Sequence, residues 1–134
     1  MKVVVDTNIL ISAIFWKGNE AKLIEAAENK KISLVLSLDI LLELKKVLTE
    51  KFPNTISRNE TSELIEHFIS ISELVQPKTR IKAVKEDPED NKFLECAIDA
   101  HADVIVSGDT LLLKLKAFKG IPIKNTKTVL EELK

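Results

Sequence analysis

Four acidic residues carry most of the chemistry this sequence offers: Asp6 in VVVDTN, Glu43 in LDILLELKKVL, Asp90 in DPEDNKFLECA and Asp109 in VIVSGD. Each has a local explanation. Asp6 and Asp109 follow short apolar runs and read equally well as helix N-caps, whose side-chain oxygens accept backbone N–H bonds. Asp87 reads as a cap with Pro88 at the first helical position, which leaves Asp90 in a first turn favoured by the helix dipole. Glu43 borders the apolar stripe Ile40, Leu44, Val47 and Leu48, where a glutamate is usually a solvated flank. Taken as a set, the acids point elsewhere. Like charges within about 4–6 Å raise one another's pKa, so clustered carboxylates are costly unless a cation neutralises them. All-oxygen donors without a suitably placed Cys or His favour Mg²⁺ or Mn²⁺ over zinc. Such an ion activates water and offsets charge at a phosphoryl centre, so phosphodiester hydrolysis is the expected reaction.

For these residues to meet, the chain must bring distant segments to one edge. Residues 2–5 (KVVV) predict a buried strand, and 9–15 with 21–27 predict helix broken near Gly18. A second strand is expected at 33–36, a helix at 39–51 ended by Phe52-Pro53, and another at 61–71 introduced by the polar run 57–60. Residues 73–76 fit a short strand and 78–86 a charged loop, before a helix from Asp87-Pro88 to about His101. Val104–Val106 is a clear strand. A helix to about Phe118 closed by Gly120, a strand at 121–123 and a helix at 126–134 complete the chain. This alternation predicts an α/β fold with a mostly parallel sheet and helices on both faces. In such sheets ligands bind beyond the carboxyl ends of the strands, where Asp6 and Asp109 should emerge.

At 134 residues the chain suits a single domain, 1–134, able to bury its own core. No apolar run is long enough to span a membrane and no secretory leader opens the chain, so a cytoplasmic location is expected. The lone Cys96 excludes an internal disulfide and a CxxC site, and it should be an inert core thiol. A net charge of −1 leaves any nucleic-acid contact to local lysines, of which Lys46 and Lys51 on the Glu43 helix are the first candidates.

Across nearly its whole length the sequence resembles the PIN-domain ribonucleases, including the VapC-type toxins of toxin–antitoxin pairs. The family's strand followed by Asp-x-Asn resembles VVVDTN, its helical Glu resembles Glu43, its third acid resembles Asp90, and its last resembles Asp109 in VIVSGD. The resemblance implies a three-layer α/β/α sandwich whose acids Asp6, Glu43, Asp90 and Asp109 hold Mg²⁺ or Mn²⁺ and cleave RNA. It also implies Asn8 and Ser107 as orienting residues, Asp87 as a further candidate acid, a homodimer, and an antitoxin partner. Related members carry another acid two places after the last, and here that position is Leu111. This departure motivates a second reading, a weakly catalytic RNA- or protein-binding regulatory module on the same fold. A receiver-like phosphoacceptor domain also uses strand-end aspartates, but the paired acids and late lysine it needs are not evident.

Phe15 and Trp16, at the break of the first helix, fit a core or dimer-interface position better than a base-stacking platform. His67 is expected on the apolar side of its helix and His101 at a helix end, both poorly suited to act as general bases.

Overall fold

The structure, a computed structural model, describes residues 1–76 and 91–134. Those residues form the order β1 (Lys2–Val5), α1 (Thr7–Phe15), α2 (Asn19–Glu28), β2 (Ser33–Ser37), α3 (Leu38–Lys51), α4 (Arg58–Ile71) and β3 (Ser72–Val75). Beyond the undescribed segment come α5 (Asn91–Ala100), β4 (Val104–Val106), α6 (Thr110–Leu115), β5 (Ala117–Phe118), β6 (Ile121–Lys124) and α7 (Thr126–Glu132). The expected loop at 78–86 and the helix start at Asp87-Pro88 lie outside the described residues.

One six-stranded sheet runs β3-β2-β1-β4-β6-β5. Every pairing is parallel except the β5–β6 hairpin. β1, β2 and β4 consist almost wholly of Val, Leu and Ile because strands covered on both faces have no solvent side to make polar. Val3, Val4, Val5, Leu34, Val35 and Leu36 are all fully buried. Helices flank the sheet on both sides: α5 packs across β1 to β4, α1 packs on α2 and α3, and α2 meets α7. The α/β architecture is therefore the one expected. No helix of the described residues is long and apolar enough to cross a membrane.

Helix starts follow from capping chemistry. Ser37 accepts the Ile40 amide at 3.2 Å and so opens α3. Ser57 and Glu60 form a reciprocal capping box, which starts α4 at Arg58, three residues earlier than the apolar pattern suggests.

One expected element is different. The sequence suggests a helix to about Phe118, but α6 ends at Leu115 and the chain turns back as the β5–β6 hairpin. Lys116, Lys119 and Gly120 all take positive φ, at 61°, 48° and 82°, which ends the helix and forms the turn. Two of these positions are lysines rather than glycines, so composition gives no warning of the reversal.

Candidate active site

The ends of neighbouring strands build the site. Asp6 follows β1, Ser107 follows β4, and β1 lies hydrogen-bonded between β2 and β4. The Asp6 amide continues that ladder by donating to the Val106 carbonyl at 3.2 Å, and the Ser107 amide donates to Lys124 at 3.1 Å. Both residues are buried and both belong to one rim.

Asp6 divides its carboxylate between two duties. Oδ1 accepts the Ile9 amide at 2.9 Å and caps α1. Oδ2 accepts the Ser107 hydroxyl. Ser107 Oγ in turn accepts the Asp109 amide at 2.9 Å, so one serine fixes both acids. Asp109 caps α6, its Oδ1 accepting the Leu111 amide at 2.7 Å. Capping therefore accounts for one oxygen of each carboxylate. Burial pushes the Asp6 carboxyl above its ordinary range, and the nearby charge of Asp109 pushes the same way. Hydrogen bonds from Ser107, Ile9 and Gly108 pull against that rise without cancelling it.

Glu43 reaches the same region from α3. Its Oε2 accepts the hydroxyl of Thr7, the residue after Asp6. Its Oε1 lies 3.5 Å from Lys92 Nζ of α5. Beside it a groove of about 560 Å³ is lined by Leu42, Lys46, Val47, Glu50, Lys51 and Lys92, among others. Both lysines singled out in the sequence therefore border the cavity that contains Glu43. Thr7 and Lys92 are functional candidates that sequence reasoning missed. Thr7 stands inside the DTN triplet, between the Asp and the Asn that carry the motif. Lys92 is partly buried beside Glu43, but a single lysine in a helical sequence carries no spacing signature of its own.

Other candidates fall as follows. Asn8 is exposed, and the Asp6 carboxylate accepts hydrogen bonds from Ser107 and the Ile9 amide. Asp87 and Asp90 lie outside the described residues. His67 is exposed, not on the apolar side, and its Nε2 sits 2.6 Å from Glu28 Oε2. Trp16 is 60% exposed rather than core, while Phe15 stacks on Phe52 with centroids 4.5 Å apart. Cys96 is fully buried, and burial, with Asp99 and Glu73 nearby, pushes its thiol up to about 12.

Among the described residues no group of three or more His, Cys, Asp or Glu is arranged to hold a metal ion. The donors present are nevertheless of one chemical kind. Asp6 and Asp109 are hard oxygen donors, burial and then the Asp109 charge raising the Asp6 carboxyl, and Glu43 bonds Thr7, the residue beside Asp6. Such a set suits a small divalent cation and gives a soft one no sulfur or imidazole ligand.

A family model described as "PIN domain" matches residues 2–111, and the chain belongs to the PIN-domain family. Members of that family are typically nucleases and generally use divalent metal ions. An uncharacterized protein of Methanocaldococcus jannaschii, MJ1680, is 32% identical over 119 residues, covering 87% of this chain and 76% of that protein. Among solved structures, VapBC2 from Rickettsia felis, bound to a DNA fragment from its promoter, aligns with a TM-score of 0.65 at 17% identity. That match covers 93% of this chain and 98% of the other. PAE2754 from Pyrobaculum aerophilum aligns with a TM-score of 0.60 at 17% identity, over 99% of this chain and 89% of its own. These likenesses establish the fold.

Proposed function

We propose that this chain, acting as one domain over residues 1–134, is a Mg²⁺- or Mn²⁺-dependent endoribonuclease. The observation that carries the reading is the buried Asp6, held by Ser107 against a second acid, Asp109, at the carboxyl edge of a PIN-domain sheet. A repulsive pair of this kind, kept at the expense of stability, is what a cation site requires. Asp6, Glu43, Asp90 and Asp109 are the metal ligands in this reading, with Asp87 as an additional acid and Asn8 and Ser107 as orienting residues. The ion, when bound, polarises water and offsets the charge that builds on the phosphoryl oxygens. Ser107 holds Asp6 and Asp109 at a fixed separation, Thr7 fixes the Glu43 carboxylate, and Lys46 and Lys51 draw the RNA backbone along the groove.

The biological role in this reading is that of a cytoplasmic toxin, a homodimer neutralised by a cognate antitoxin. The family resemblance and the shared fold with the VapBC2 structure support it. Purified protein should cleave RNA in Mn²⁺ or Mg²⁺, EDTA should abolish cleavage, and Asp6→Asn should lower the rate by about 10²-fold or more. Wild type no faster than Asp6→Asn would remove the enzymatic reading.

Leu111, at the place of a further acid in related members, favours a second reading as a regulatory RNA- or protein-binding module. RNA binding without cleavage, indifferent to Asp109→Asn, is its signature.

A further inference from the structure

Lys92 of α5 lines the groove beside Glu43 and pairs with that acid. Its Nζ lies 3.5 Å from Glu43 Oε1, and the two side chains are only 17% and 21% exposed. The other oxygen of Glu43 already accepts the Thr7 hydroxyl. The carboxylate is therefore engaged on both sides, by a hydroxyl and by an ammonium. Neither partner is loosely placed. Phe93, Leu94 and Ala97 are buried and anchor α5, while Ile40 and Leu44 anchor α3 around Glu43. An ammonium and a divalent cation compete for the same carboxylate lone pairs, and two cations cannot share one oxygen at close range without strong repulsion.

We propose that Lys92 is a built-in counter-cation of this site, holding Glu43 in the metal-free protein so that an incoming divalent ion must displace it. The inference rests on the metal-dependent reading above. Lys92 then lowers the affinity of the site for metal while keeping Glu43 aimed into it. The side chain is a positioning residue, and its effect is read in binding rather than in turnover.

The test is calorimetric titration of the whole chain with Mn²⁺. Lys92→Met, which keeps most of the aliphatic stem and removes the charge, should bind Mn²⁺ about tenfold more tightly than wild type. Lys92→Arg should stay within about threefold of wild type, because the cation is retained. In a Glu43→Gln background the effect of Lys92→Met should shrink to about twofold or less, since the contested carboxylate is gone. In the wild type, Mg²⁺ should move the Lys92 ¹³Cε resonance, assigned by its loss in Lys92→Arg, so the test does not depend on folding of the neutral variant. Equal or weaker Mn²⁺ binding by Lys92→Met, or a Lys92 resonance unmoved at saturating Mg²⁺, overturns the proposal and leaves the nuclease reading standing. No Mn²⁺ binding by the wild type would overturn both.

Discussion

Asp6 is the residue on which the local and functional accounts converge. One oxygen caps α1 and the other receives Ser107, so truncation would cost a helix cap as well as the proposed metal ligand. Asparagine keeps the cap and removes the charge, which makes it the informative substitution. Because the carboxyl of Asp6 is raised above its unfolded value near 3.8, the folded protein binds that proton more tightly than the unfolded chain does. Stability from this group is then fully present below the unfolded value and declines as pH rises through the folded one. Metal-free Asp6→Asn should therefore melt above wild type at pH 7, with the gap closing toward acid pH. Millimolar Mn²⁺ should raise the wild-type melting temperature and leave Asp6→Asn nearly unmoved. A scanning-calorimetry series from pH 4 to 8, with and without metal, checks both. At the same scale, the buried high-pKa thiol of Cys96 should resist a thiol reagent in the native protein and react only after denaturation.

At the scale of elements, apolar runs and caps were readable and positive-φ reversals were not. KVVV and VIV announce themselves as doubly covered strands, and Asp6-Thr-Asn announces a helix start. Ser57 and Glu60 carry the capping-box signature, yet periodicity alone delayed the helix by three residues because α4 opens with polar Arg58, Asn59 and Glu60. Ser57→Ala should cost about 1 kcal/mol, measurable by urea denaturation. The β5–β6 hairpin was missed for a different reason: two lysines adopt a conformation that favours glycine, so tertiary pairing rather than local preference decides the turn. Gly120→Ala should destabilise the protein by about 1 kcal/mol, since its φ of 82° strains any side chain although the space around it is open.

At the scale of the molecule, strand order does what sequence distance conceals. Asp6 and Asp109 are far apart in the chain; the alternating pattern places both on one rim, and the pairing of β1 with β4 makes them neighbours there. The contribution of Glu43 was less legible, because a helix-border acid becomes a site residue only through its neighbours Thr7 and Lys92. With a net charge of only −1, the proposed attraction to RNA is assigned to local lysines. Replacing Lys46 and Lys51 together by alanine should flatten the salt dependence of single-stranded RNA binding by about 1.4 in log–log slope, if each meets one phosphate.

The aromatic group at the other end of α1 has a practical consequence. Trp16 is the only tryptophan in a chain without tyrosine, and it meets Phe15 edge-on at 5.9 Å, while Phe15 stacks on Phe52 just beyond α3. The same two helices carry Thr7 at the start of α1 and Glu43 in the middle of α3. Its emission is thus a native optical probe of whether α1 and α3 stay clasped. A shift in its wavelength or quenching on metal addition would report the state of the acidic rim from the other end of α1, without any label.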